Sequence, residues 1–357
     1  MSAPAPWHVL LPGDWHQATG GYRYDRRIGL GLRALGLDVR PLVLQGAFPR
    51  PAPHELAAAA QAVAALPDGA QVLADGLAFG AMPEIAEAHA RRLRWVALVH
   101  HPLWLETGCE APALLRAREA RALAAARQVI VTSRATAGLV QALGVGPERI
   151  AVVEPGTDPA PLAEGAGPGA APNLLCVATV TPRKGHRRLV EALAPWRARP
   201  WTLLLAGSLD RDPACVAALR AAIDAHGLAA RVRLLGEVDD AALAACYRRA
   251  DAFVLASAFE GYGMALAEAL AHGLPVVSTT GGAIGGTVPP DAGVLVDPQD
   301  TGALSRALGR LLDDPGTRTA LQAGARRARE RLPTWDAACR RFAAVLEGVG
   351  AAGGGPA

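Results

Sequence analysis

Two α/β domains, each a doubly wound parallel sheet with helices on both faces, are the fold that this sequence predicts, and three observations lead to it. Twelve short runs rich in Val, Leu and Ile recur along the chain, too continuously apolar to keep a wet face, as expected of strands buried on both sides. Between them lie alanine-rich amphipathic stretches of helical period. Midway, Pro159-Ala-Pro-Leu-Ala-Glu-Gly-Ala-Gly-Pro-Gly-Ala-Ala-Pro172 sustains neither period and reads as a linker. The length of 357 residues fits two domains of ~150 each, and 51% hydrophobic against 19% charged residues suffices for two cores.

Taken in order, the first domain spans residues 1–158, with strands expected near 8–11, 39–44, 71–74, 95–100, 129–133 and 150–154. Its first helix follows the loop Pro12-Gly-Asp-Trp-His-Gln-Ala-Thr19 and opens on Gly20-Gly21, with Tyr24, Ile28, Leu32 and Leu35 recurring on one face. After the linker, 159–172, the second domain spans 173–333, with strands near 174–180, 202–206, 232–236, 252–257, 275–279 and 293–297. A last helix over 334–348 carries Trp335, Phe342, Val345 and Leu346 and is expected to pack back on the first domain. The closing Gly353-Gly-Gly-Pro-Ala357 is expected to fray. Ligands of such sheets bind beyond the carboxyl ends of the strands, so two Rossmann-like domains are expected to face each other across a cleft.

Several classes are excluded. No run of ~18 uncharged apolar residues is present to span a bilayer, and the start, Met1-Ser-Ala-Pro-Ala-Pro-Trp7, lacks the basic and apolar regions of a secretory signal, which points to the cytoplasm. Cys109, Cys176, Cys215, Cys246 and Cys339 have neither zinc-site spacing nor disulfide density, and read as reduced, mostly buried thiols. The net charge of +3 is spread out, with no basic block interleaved with aromatics, so nucleic acid is not expected as a partner. Nearly all the basic charge is arginine. Lys184 is the only lysine and Asn173 the only asparagine, a bias of GC-rich genomes that makes the surviving lysine worth inspecting. Gly29-Leu-Gly31-Leu-Arg-Ala34 matches a dinucleotide fingerprint on paper, yet it lies inside a helical period rather than after a strand. No Walker A loop surrounds Lys184.

Three segments carry candidate chemistry. Gly20 and Gly21 at a helix start would let a ligand approach free backbone N–H groups, or form an ordinary turn. Pro182-Arg183-Lys184-Gly185 sets two cations, expected to be exposed, between a strand and the helix beginning near His186, where they suit a diphosphate or simply solvate a turn. In Ser257-Ala-Phe-Glu260-Gly261-Tyr262-Gly263-Met264-Ala265-Leu-Ala-Glu268 a strand ends, glycines turn, and a helix follows. Both glutamates can be helix-start acids, but Glu268 sits on a largely apolar helix, where a carboxylate needs donors that ligand hydroxyls would supply.

The spacing Glu260-x7-Glu268, preceded by Ser257 and enclosing Gly-Tyr-Gly, resembles the signature of the retaining, nucleotide-sugar-dependent family-4 glycosyltransferases of the GT-B fold. The resemblance covers almost the whole chain. Gly20-Gly21 is similar to the family's glycine loop, Val99-His100-His101-Pro102 to its histidine motif, and Glu154-Pro-Gly-Thr-Asp158 to the segment entering its linker. Pro182-Arg183-Lys184-Gly185 is similar to its phosphate turn, and Pro275-Val-Val-Ser-Thr279 with Gly281-Gly282 to its late strand and loop.

The resemblance implies roles. Lys184, with Arg183, would neutralise the donor diphosphate, and Glu268 would hold the ribose hydroxyls. Glu260, with the Gly261-Tyr262-Gly263 turn and the amides of Gly263, Met264 and Ala265, would hold the transferred sugar and its phosphate. His100, favoured over the structural His101, would lie by the reacting carbon, and Gly21, beside Gly20, would reach the phosphate. Where the family commonly has Gly-Arg five residues before the lysine, this chain has Ala178-Thr179, so Arg183 is the candidate replacement; Gly285-Gly286 stands for a frequent Pro-Glu.

The expected reaction moves a hexosyl unit from a nucleoside diphosphate sugar, UDP- or GDP-linked, to a hydroxyl. The acceptor is a sugar, a lipid-linked sugar or a small molecule, which leaves peripheral membrane contact open. No other cofactor and no metal is expected, since the two adjacent histidines lack a third ligand at suitable spacing. Trp15, His16, Tyr22, Tyr24 and Trp104 are candidate acceptor contacts, or packing. An epimerase or phosphorylase on the same fold, or a non-catalytic nucleotide-sugar-binding protein, is the alternative.

Overall fold

The computed structural model describes residues 5–17, 19–105, 111–167 and 169–351, so the expectations for Cys109 and for the last glycines lie outside the described residues. The chain divides into an amino-terminal unit, Met1–Gly156 with Pro333–Ala357, and a carboxyl-terminal unit, Thr157–Leu332. Each is built on six parallel strands.

The amino-terminal sheet contains β1 (Trp7–Leu11), β2 (Val39–Val43), β3 (Gln71–Asp75), β4 (Arg94–Val99), β5 (Gln128–Val131) and β6 (Ile150–Val152), in the order β2-β1-β3-β4-β5-β6. The other contains β7 (Asn173–Val177), β8 (Thr202–Ala206), β9 (Val232–Gly236), β10 (Ala252–Leu255), β11 (Val276–Thr279) and β12 (Gly293–Val296), in the order β12-β11-β10-β7-β8-β9. Every strand falls on one of the apolar runs. The direction of winding reverses between β1 and β3 in the first sheet and between β7 and β10 in the second, and a crevice opens at the carboxyl ends of such a strand pair.

Several strands stop short of their runs, and two of them do so at the site. β7 ends at Val177, although Val180 still donates to Ser208 O at 3.0 Å, and β10 ends at Leu255, although Ala256 and Ser257 stay fully buried. Apolar sequence reports burial, and burial continues here into the loops that carry the site.

The glycines of the dismissed fingerprint lie inside the first helix (Gly20–Ala34) and serve packing. A Cβ on Gly29 would press on the Trp15 ring, and one on Gly31 would collide with Cys339 of the last helix, Trp335–Ala351. That last helix belongs to the amino-terminal unit. Tyr24, expected as a candidate acceptor contact, is instead core: its ring lies 6.0 Å from Trp335 and 6.5 Å from Phe342, and its hydroxyl donates to Val153 O. Trp15 and Trp104 are half-buried, with the Arg33 and Arg116 guanidiniums over their rings at 5.8 and 5.5 Å. Gly156 backs directly onto the Thr334–Trp335 backbone, so the chain leaves this unit and re-enters it at adjoining points.

The expected linker does not hang free. Ala163 N–H donates to His272 O at 2.8 Å, Glu164 N–H to Arg248 O at 2.7 Å, and His272 Nδ1 to Pro161 O at 2.9 Å. A Pro/Gly-rich stretch has no internal ladder, so its backbone polar groups are satisfied by the carboxyl-terminal unit it crosses. Cys176 and Cys339 are buried and Cys215 and Cys246 half-buried, all as free thiols. Among the described residues no helix is long and apolar enough to cross a membrane.

Candidate active site

In the carboxyl-terminal unit the candidates gather where β7 and β10 end side by side. After β7 a single 3-10 turn, Pro182–Lys184, is closed by Gly185 at φ +69°, where a Cβ would strike Ala256 O. The loop after β10 is bound to that turn: Ala258 N–H donates to Arg183 O at 2.7 Å, and the Ser257 hydroxyl lies within bonding distance of the carbonyls of Arg183 (3.2 Å) and Phe259 (3.0 Å). A parallel bridge to Gly282, with Ala283 N–H donating to Glu260 O at 2.8 Å, fixes the other side of Glu260.

Lys184 is not the exposed cation expected from sequence. Its ammonium donates to both carboxylate oxygens of Glu260, at 2.7 and 2.9 Å, and its side chain is only 19% exposed. Arg183 donates to Phe259 O at 2.8 Å and lies 3.9 Å from Glu260. Burial drives the Glu260 carboxyl upward, but Lys184 and Arg183 overcome it and hold the group below its usual range. The result is an ionised, nearly buried cluster with one excess positive charge. Next to it in sequence, Gly263 at φ +93° begins the helix Met264–Ala271, and no side chain caps its first turn. Cations beside an uncapped helix start can receive an anion.

Glu268 lies on that helix. The Tyr247 hydroxyl donates to its Oε2 at 3.1 Å, and the Tyr247 ring stacks on His272 at 4.8 Å with the planes 8° apart. Sequence reasoning missed Tyr247, since nothing local marks a tyrosine that orients an acid on another helix.

In the amino-terminal unit Gly21 lies against the His100 ring, where a Cβ would sit 3.4 Å from Cδ2, while Gly20 is exposed at the helix start. His100 Nε2 is 3.0 Å from Asp25 Oδ1 and 3.3 Å from Asp75 Oδ2. Burial lowers the imidazole, but the two carboxylates more than reverse it and raise it to about 10. Burial raises Asp25 to about 7. Neither aspartate was singled out from sequence. Asp75 offered a signal, a carboxylate ending an otherwise apolar strand at its carboxyl edge; Asp25 lay beside Tyr24 on the buried stripe of its helix. The spacing argument against a third ligand beside the histidine also needs correcting, because Asp25 and Asp75 bring two carboxylates to His100 from separate elements.

Residues 22–161 match the family model described as Glycosyltransferase Family 4, and residues 171–314 the one described as Glycosyl transferases group 1. The chain is similar to the D-inositol 3-phosphate glycosyltransferase of Xylanimonas cellulosilytica, 36% identical over 246 residues, covering 64% of this chain and 58% of that protein. It is also similar to the GDP-mannose-dependent monoacylated alpha-(1-6)-phosphatidylinositol monomannoside mannosyltransferase of Corynebacterium glutamicum, 30% identical over 184 residues, covering 49% and 47%. The chain spans about half the length of the curated relatives it matches. Among solved structures, sucrose-phosphate synthase from Thermosynechococcus elongatus superposes with a TM-score of 0.82 at 23% identity, covering 97% of this chain and 100% of that one. The Anabaena protein HepE, in complex with UDP and glucose, gives 0.75 at 18%, covering 96% and 100%. These two likenesses are of fold, and the sequence matches in both halves supply the rest: the chain belongs to the family-4 glycosyltransferases and has the GT-B fold.

Proposed function

We propose that the chain transfers a hexosyl unit from a UDP- or GDP-sugar to an acceptor hydroxyl, with retention at the anomeric carbon and without a metal ion. The observation that carries this reading is the Arg183–Lys184–Glu260 cluster beside the uncapped start of the Met264–Ala271 helix, at the winding reversal of the carboxyl-terminal sheet. A diphosphate leaving group needs positive charge that grows in value as the bond breaks. Lys184 and the amides of Gly263, Met264 and Ala265 supply it, while Glu268, oriented by Tyr247, accepts from the ribose hydroxyls. Glu260 meets the sugar, with the Gly261–Tyr262 turn shaping its pocket. The leaving diphosphate itself takes the acceptor's proton in a front-face substitution. The Anabaena protein solved with UDP and glucose and the GDP-mannose-dependent relative support a nucleotide-sugar donor.

Thermal shift with UDP-, GDP- and ADP-sugars selects the donor, and release of nucleoside diphosphate with and without candidate acceptors then measures transfer. Lys184→Gln is expected to lower turnover by ~10²–10³, the usual cost of losing a donor to a developing anion. EDTA is expected to leave the rate unchanged. No binding of any nucleotide sugar, or a rate abolished by EDTA and restored by Mg²⁺, would overturn the reading.

A further inference from the structure

Asp25 and Asp75 converge on one atom. Asp25, on the first helix, and Asp75, the last residue of β3, both direct a carboxylate oxygen at His100 Nε2, at 3.0 and 3.3 Å. The His100 main chain is held as well, its carbonyl accepting from the Thr132 hydroxyl at 3.0 Å. The two acids are 4% exposed each, and Asp25 Oδ2 is buried with no hydrogen-bond partner among the described residues. Leaving such an oxygen unsatisfied is costly, so the arrangement is not one that stability alone would favour. Gly21 also lies against the His100 ring, and the Tyr24 ring is 5.4 Å away at 83°, its hydroxyl donating to Val153 O. The titratable groups facing the imidazole are therefore Asp25, Asp75 and Tyr24. Nδ1 makes no hydrogen bond among the described residues.

We infer that Asp25 and Asp75 are positioning residues that clamp His100 by Nε2–H as a permanent imidazolium, so that Nδ1–H is a fixed donor to a substrate oxygen and the ring cannot serve as the base. A neutral ring would have to turn a lone pair on one nitrogen or the other. Nε2 between two carboxylates fixes a proton there, and because two negative charges rather than one face the ring, the second proton on Nδ1 is favoured over the neutral Nε2–H form with its lone pair on Nδ1. This deepens the proposed function and rests on it for the identity of the oxygen, which would belong to the donor sugar or the acceptor. Gly21 lies on the same ring, where an added Cβ would come into ordinary contact with Cδ2 at 3.4 Å.

The first measurement needs no substrate. Histidine carbon and nitrogen resonances, with His100 assigned by their loss in His100→Gln, are followed in the free protein between about pH 5.5 and 8.5, the window in which an ordinary imidazole titrates. His100 is expected to stay doubly protonated throughout, and to titrate inside the window in Asp25→Asn/Asp75→Asn. Titration near the ordinary value in the unaltered protein would overturn the inference, as would a shift of the His100 resonances on adding Zn²⁺ or Mg²⁺, which would make the trio a metal site. In turnover, each single Asn variant is expected to lose about tenfold in kcat with little change in donor KM, and the double variant no more than His100→Gln, as for groups acting through one another. Full additivity of the three would also overturn it. Should no nucleotide sugar bind, the proposed function fails while the resonance experiment still decides the clamp.

Discussion

At Glu260 a buried carboxylate is kept ionised by two cations, and in return it masks half of their charge. Glu260→Gln would remove the mask: affinity for the free nucleoside diphosphate should rise several-fold as Lys184 loses its intramolecular anion, while turnover falls because the sugar contact is lost. The same change leaves an ammonium without its counter-charge, so the ligand-free variant should also melt lower. Glu268→Gln should act in the opposite sense on binding, since each charge-assisted hydrogen bond to a ribose hydroxyl is worth roughly 1.5–3 kcal/mol. Calorimetry with the diphosphate beside steady-state rates checks both, and parallel changes in the two variants would show that the acids merely support their helix. Another residue contributes to the pH response. Glu119 is 1% exposed, accepts from Leu103 N–H at 2.8 Å, and is pushed by burial from 4.5 to about 8. A carboxyl raised on folding contributes fully below its unfolded value and loses that contribution as the pH climbs through its folded one. Stability should therefore decline between about pH 4.5 and 8 by on the order of 5 kcal/mol, and Glu119→Gln should flatten the decline. Urea unfolding at several pH values measures the slope.

Elements were legible where their cause is local. All twelve strands could be placed because the central ones are buried on consecutive residues, while the edge strands β2 and β9, though partly exposed, still carry apolar runs; the helical period around Tyr24, Ile28 and Leu32 placed Gly29 and Gly31 inside a helix. Strand ends were less legible, since Val180 and Ser257 are buried beyond the ladder. The ion pairs were not legible at all: Lys184 meets Glu260, and His100 meets Asp25, across about seventy-five residues, and no periodicity encodes a contact made only when two crossovers return to adjacent strands. Which glycines pack and which are idle is also settled between elements. Gly31→Ala should cost about 1–3 kcal/mol, because its methyl displaces Cys339 and with it the last helix. Gly138, within the helix Arg134–Gln141, has nothing within 4 Å of an added Cβ, and Gly138→Ala should stabilise by roughly 0.5–1 kcal/mol. Equal responses in chemical unfolding would refute the distinction.

Over the whole molecule, each unit places its chemistry at or beside the winding reversal of its own sheet: Gly20 follows β1, Asp75 ends β3 and His100 follows the neighbouring β4, while Lys184 and Glu260 follow β7 and β10. The units differ in continuity. The carboxyl-terminal one is a single stretch of chain, whereas the amino-terminal one closes only when Trp335 and Phe342 reach Tyr24. Because Gly156 rests against Thr334 and Trp335, the residues Thr157–Leu332 have the topology of an insert, spliced into a surface loop whose two ends nearly touch. Such an insert is separable. A shortened gene joining Gly156 to Pro333 through a few glycines and serines should yield a cooperatively folding miniature that keeps the Tyr24–Phe342 contact, and the excised stretch should fold from its own ends. Tryptophan fluorescence and hydrogen exchange on the two pieces would show it. A miniature that stays unfolded would mean that the amino-terminal unit draws its stability from the insert it carries.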